Sequence, residues 1–249
     1  MNPLFNQLFR LTIFSIAMGF LESAVVIYLR MLYYPAGFHF PLALIPPDIA
    51  RVEIGREAAT IIMLVGAGIL AARDKSHRFA LFIYAFAVWD LFYYVFLKLF
   101  IGWPDSLLTW DILFLLPVPW IGPVLAPCIV SITLILITIL ILYYANKGRN
   151  IRFKAIEWTL LGVGGFIIIW SFCEDYLHLV IFGNKPFWRL SGDKKLFSDL
   201  INYVPVRFNW SMFLTGEVIL LLAIMLYLTR LGKPGKAGHD HSGWFSEIN

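Results

Sequence analysis

Residues 79–101 read FALFIYAFAVWDLFYYVFLKLFI, 23 positions in which Asp90 and Lys98 are the charged residues. A helix needs about 20 predominantly apolar residues to cross the hydrocarbon of a bilayer, and this run is long enough. Five more runs of the same kind accompany it, roughly Leu8 to Leu32, Ile49 to Ala72, Pro123 to Ala145, Ala155 to Phe182 and Trp210 to Thr229. Lipid offers backbone N–H and C=O groups no partner, so a spanning segment is a helix or a strand of a closed barrel. A barrel would alternate polar and apolar residues over about ten positions, which these runs do not. The expected fold class is all-α: a polytopic membrane protein of six transmembrane helices. Residues 1–231 form one transmembrane domain and 232–249 a flexible cytoplasmic tail.

Composition agrees. Of 249 residues 60% are apolar and 14% charged, and the mean hydropathy is +0.77, whereas soluble domains carry about 25% charged residues. This excludes a water-soluble enzyme and a disordered regulator. Cys128 and Cys173, the two cysteines, lie inside apolar runs and give no disulfide framework. The first run follows Arg10 as a signal peptide would, but it is too long and lacks a small-residue cleavage site, so it is retained as a span.

The net charge of +4 sits in the connections and reports topology, with nucleic acid not among the expected partners. Arg73, Lys75 and Arg78 lie in the second connection, Lys147, Arg149, Arg152 and Lys154 in or beside the fourth, and Arg230, Lys233 and Lys236 after the last span. The first and third connections contain no Lys or Arg. The positive-inside rule then predicts a multi-pass protein of the cell (inner) membrane with both termini cytoplasmic. Lys185, Arg189, Lys194, Lys195 and Arg207 in the fifth connection run against it.

In the third connection, Trp103-Pro104-Asp105-Ser106 followed by Leu107 to Leu116 reads as a capped short helix ending at Pro117-Val118-Pro119. Ten residues cannot cross the bilayer, and Trp103, Trp110 and Trp120 border the segment, so an interfacial or re-entrant helix is expected. Among the glycines, Gly66 and Gly68 in the second span and Gly162, Gly164 and Gly165 in the fifth are read as permitting close helix contacts.

The functional signal is the charge inside the spans. Each ionisable group at bilayer depth costs about 2.5 to 3.5 kcal/mol on insertion scales, so it needs a partner or a watery cavity. Glu22, Glu53, Arg56, Glu57, Asp90, Lys98, Glu174, Asp175, His178 and Glu217 all fall at mid-depth or in the outer half of their spans. Arg30 and Arg51 lie near helix ends, where they can snorkel. Glu53 and Glu57 share a helix face with Arg56 between them, and Asp175 and His178 are three apart. Acids outnumber bases, and an unpaired carboxylate in low dielectric either takes up a proton or holds a cation.

Three chemistries fit. The first is a divalent metal held by His178 and Asp175, with the second half of a di-iron pattern missing. The second is acid/base catalysis on a lipid-like or isoprenoid substrate. Its candidate catalytic residues are Glu22, Glu57, Asp90, Glu174, Asp175 and Glu217, with Arg56, Lys98, Trp89, Tyr93, Tyr94, Trp110 and Trp120 binding substrate. The third is proton- or cation-coupled transport, which also needs polar groups in the inner half, where few occur. A salt-bridge scaffold, or a non-catalytic subunit pairing its charges with a membrane-complex partner, is the structural alternative. The partners expected are membrane lipids and a lipid-like small molecule. Glu22, Glu57, Asp90, Glu174 and Glu217 are expected to approach one another.

Overall fold

A computed structural model describes residues 3–43, 45–72, 74–182 and 204–232. The tail after 232 and most of the fifth connection lie outside these described residues. Six helices are long and apolar enough to cross a membrane: α1 (Pro3–Tyr33), α2 (Pro47–Ala71), α3 (Lys75–Ile101), α4 (Leu125–Asn146), α5 (Ala155–Phe182) and α6 (Trp210–Gly232). They match the six expected spans, so the chain is an integral, polytopic, all-α protein. Connections one and three and residues 204–209 of the fifth gather at one end of the bundle, called here the loop face; both ends of the described chain lie at the other, the terminal face.

Local chemistry sets the ends. Pro47 opens α2, where its missing N–H costs no hydrogen bond. Asp74 caps α3 by accepting the backbone N–H groups of Ser76 and His77. At the other end of α3, Gly102 takes φ 69° and donates its N–H to the Lys98 carbonyl, a left-handed turn that glycine adopts without strain.

Helix α3 is the centre of the larger half and packs against α1, α2 and α4, while α5 and α6 form a second, tightly apposed pair. That apposition comes from glycine. A Cβ on Gly216 would lie 2.7 Å from Ile168 Cγ1 and 2.9 Å from the Gly164 carbonyl oxygen, and one on Gly164 would lie 3.0 Å from the Gly216 oxygen. Gly68 likewise meets the backbone of α3, whereas Gly66, Gly162 and Gly165 face open space. Close contact thus belongs to Gly68 and Gly164 alone of the five. On the terminal half, Leu11, Leu64, Leu81 and Leu142 pack into one buried apolar cluster across α1 to α4.

The third connection is not a helix. Its residues form an antiparallel hairpin, β1 (Trp110–Phe114) and β2 (Trp120–Pro123), paired Trp110 to Pro123 and Ile112 to Ile121 with an irregularity before Phe114. The expected N-cap residues close a single turn only: Ser106 Oγ accepts from Leu108 N–H, and the Ser106 N–H donates to Thr109 Oγ1. Beyond it, Trp110, Ile112 and Phe114 are aromatic or β-branched at alternate positions, a strand pattern. The prolines at 117 and 119 sit in the turn, where they remove no ladder hydrogen bond. Tertiary contacts then hold the strand, because Asp111 on β1 receives the Arg30 guanidinium of α1 at 3.0 Å. The hairpin also packs through β2 on α5, so it joins the two halves across the loop face.

Candidate functional site

Two cavities open near the loop face, and the intramembrane charges divide between them and the helix interfaces. The smaller, about 150 Å³, lies between α1 and α2 beneath the first connection and β1. Helices α1 and α2 touch each other little and lean separately on α3, which leaves this gap. Its wall is largely apolar, with Val26, Leu29, Phe38 and Ile112 among the lining side chains, and into it come Arg30, Glu53, Arg56, Glu57, Tyr93 and Asp111.

The charges here are ordered. Arg56 pairs with Glu22 of α1 and with Glu53 one helical turn before it, the latter at 2.8 Å. Thr60 Oγ1 donates to the other oxygen of Glu22 at 3.1 Å. Arg30 is buried and pairs with buried Asp111, its guanidinium carbon 3.7 Å from the ring centre of Trp103 and 4.4 Å from that of Phe38. Tyr94 donates its hydroxyl to Asp111 Oδ2 at 3.3 Å, with Tyr93 stacked edge-on against it. Glu57 differs from these. Its Oε2 accepts the backbone N–H of Leu115 at 2.8 Å, and its Oε1 makes no hydrogen bond among the described residues. Tyr34, on the same wall, is held above the usual phenol range by burial, against the pull of the Ala43 N–H bond and of Arg30, and so stays protonated.

The larger cavity, about 670 Å³, lies between the hairpin, the loop-face end of α5 and the start of α6. Glu174, Asp175 and His178 line it together with Trp110 and Asn209. Asn209 donates to Glu174 Oε2 at 2.8 Å. Among the described residues no group of three His, Cys, Asp or Glu side chains is placed to hold a metal ion.

The expected convergence of five carboxylates is therefore not what the chain builds. Glu22 and Glu57 meet around Arg56, while Glu174 lines the second cavity. Asp90 is buried between α3 and α4 and accepts from Ser131 Oγ at 2.8 Å. Glu217 of α6 accepts from Thr133 of α4 at 3.0 Å, its other oxygen buried without a partner among the described residues. Ser131 and Thr133 are two apart on α4, so the two acids meet different faces of that helix. The division follows from packing: α5 and α6 close on each other and reach α1 to α4 mainly through the hairpin and α4.

The remaining sequence candidates sort likewise. Arg56 and Tyr93 line the smaller cavity and Trp110 the larger. Lys98 caps α3, its ammonium donating to the carbonyls of Gly102 and Pro104 at 2.9 and 2.8 Å. Trp89 is core, against Phe86 and Phe114. Trp120 stacks on Phe172 of α5. Two residues of the smaller cavity escaped sequence reading. Arg30 sits near a helix end, where snorkelling is the simpler expectation. Asp111 lay in a segment read as helix; the available signal was its place between alternating aromatic and branched residues of a strand. Arg51, also expected to snorkel, is exposed and pairs with Asp48 at 2.7 Å. Compared with models of known protein families, with curated proteins and with solved structures, the chain matches none.

Proposed function

We propose that this protein is a membrane-embedded enzyme acting on a lipid-like or isoprenoid substrate by carboxylate acid/base chemistry. The polar end of the substrate occupies the cavity between α1 and α2, and Glu57 exchanges a proton with it. The observation that carries this reading is the contrast at Arg56: Glu22 and Glu53 are engaged by the guanidinium, while Glu57, one helical turn from Glu53 on the same face, presents Oε1 without a hydrogen bond beside a largely apolar wall. A group positioned for proton transfer needs an oxygen free to reach substrate, and a dry wall strengthens that interaction. The apolar cluster across the terminal half favours chemistry at a one-sided cavity over passage of a proton or cation. The basic second and fourth connections support both termini lying in the cytoplasm of a cell membrane, which places the cavity on the outer side.

The test is turnover by the purified protein in detergent, offered polyisoprenyl alcohols, their esters and glycerolipids and followed by mass spectrometry. Glu57→Gln keeps the Leu115 hydrogen bond but cannot carry the proton, so conversion should fall by about 10² to 10⁴ while the protein stays folded. Conversion that Glu57→Gln leaves intact, or none of any offered class, would overturn the reading.

A further inference from the structure

The charge ledger of the α1–α2 cavity selects the kind of amphiphile it takes. Arg30 and Arg56 supply two positive charges, and they are already answered by Asp111, Glu22 and Glu53 before Glu57 is counted. An anionic headgroup entering the cavity would meet carboxylates with no guanidinium left to neutralise it, and like charges brought together at a dry site repel strongly. Arg30 is buried and held by Asp111 and the faces of Trp103 and Phe38, so its charge is committed within the protein. Glu57 Oε1 is the open polar group of the cavity, on α2.

Resting on the reading of this cavity as the substrate site, we infer that its ligand is an amphiphile with a neutral or zwitterionic polar end. A donor of that end, a hydroxyl or ammonium, gives its hydrogen to Glu57 Oε1. Phosphomonoester headgroups are rejected by the carboxylates. The cavity of about 150 Å³ holds such a polar end and no more, so the acyl or prenyl chain leaves between α1 and α2 into lipid.

The experiment uses the full chain in dodecyl maltoside and three probes of equal acyl length: a monoacylglycerol, a lysophosphatidylethanolamine and a lysophosphatidic acid. Bound ligand is counted by native mass spectrometry for the wild type, for Glu57→Gln and for Ala50→Phe, which fills the cavity from a buried lining position. The expected result is that one of the first two probes binds at least about tenfold tighter than the phosphomonoester, the ratio that about 1.4 kcal/mol gives. Glu57→Gln should narrow that ratio by removing a negative charge, and Ala50→Phe should abolish binding. Tightest binding of lysophosphatidic acid would overturn the ligand class and leave the cavity as the site. Binding that Ala50→Phe does not change, or no binding of any probe, would remove the cavity reading itself.

Discussion

The Arg30 guanidinium on α1 and the Asp111 carboxylate on β1 are 3.0 Å apart, both buried, and tie the helical bundle to the hairpin that covers its loop face. Removing one member of a buried pair strands the other's charge, which typically costs about 3 to 5 kcal/mol, whereas replacing both by apolar residues of similar size is often neutral. Asp111→Ala should therefore lower thermal stability sharply. The double variant Arg30→Met with Asp111→Leu should recover most of it. Melting in detergent decides: if the double variant is as unstable as the single, the pair is not what anchors the hairpin.

Asp90 and Glu174 behave differently, because each accepts a neutral donor, Ser131 Oγ or Asn209 Nδ2 at 2.8 Å, and neither is in an ion pair among the described residues. Asp90→Asn and Glu174→Gln keep an acceptor oxygen for that donor, so both should melt within about 1 kcal/mol of the wild type. Glu157, near the terminal face, contrasts with them. Arg230 binds both its oxygens at 2.8 Å, and the Lys154 N–H adds a third bond. Glu157→Gln should cost about 1.5 to 3 kcal/mol, the range for hydrogen bonds to charged groups. A larger loss at Asp90 than at Glu157 would show that the loop-half acids are scaffold.

The α5–α6 apposition predicts a glycine series. Alanine at Gly216 or Gly164 would press a methyl into backbone or branched side chain at 3.0 Å or less and should cost about 1 to 3 kcal/mol. Alanine at Gly162 meets nothing within 4 Å and, by better helix propensity, should be neutral or slightly stabilising. Equal effects at 216 and 162 on melting would mean that the helices do not approach as described.

The spans were legible in the sequence because bilayer physics writes them at the scale of twenty residues, where Phe79 to Ile101 has no competing reading. The Glu53–Arg56 pair was legible too, since i,i+3 spacing on one helix guarantees proximity. What could not be read was contact between elements. The partner of Arg30 sits 81 positions away on a strand, and Asp111 could be recognised as buried only by whoever already knew that residues 110–114 are extended. Asp105-Ser106 is an acceptable N-cap in isolation, but the helix it would start loses to pairing of residues 110–114 with residues 120–123. The carboxylates of α5 and α6 are expected at a depth similar to those of α1 to α3, but depth fixes one coordinate only, and glycine-driven pairing of α5 with α6 places Glu174 and Glu217 on other contacts.

Asp74 gives a pH dependence outside the membrane-spanning segments. Burial raises its carboxyl, but the N–H of His77, the His77 ring and the N–H of Ser76 outweigh that and hold it below the usual aspartate value. A depressed folded-state value means stability that is whole above the unfolded value, about 3.9, and is lost as pH falls through the folded one. Asn at an N-cap keeps the hydrogen bonds without titrating. Between about pH 4 and 6 the wild type and Asp74→Asn should melt in parallel, and below about pH 4 the wild type should lose stability relative to the variant. Divergence confined to neutral or basic pH would contradict the cap.

Orientation is the last expectation and decides which side of the membrane the cavity faces. Lys and Arg resist translocation across an energised membrane, so short connections rich in them stay inside. The first and third connections carry none, and the second and fourth are basic. Exposed Ala36 in the first connection and exposed Lys147 after α4 are suitable reporters, because each lies outside the helices and neither lines a cavity. With Cys128 and Cys173 replaced by alanine, Ala36→Cys in intact cells should react with a membrane-impermeant maleimide, and Lys147→Cys should react only after permeabilisation. The two sites must behave oppositely, since an odd number of spans, α2, α3 and α4, separates them. Labelling of Lys147→Cys from outside with Ala36→Cys protected would invert the protein and turn the α1–α2 cavity to the cytoplasmic leaflet. Equal labelling of both would break the six-span topology.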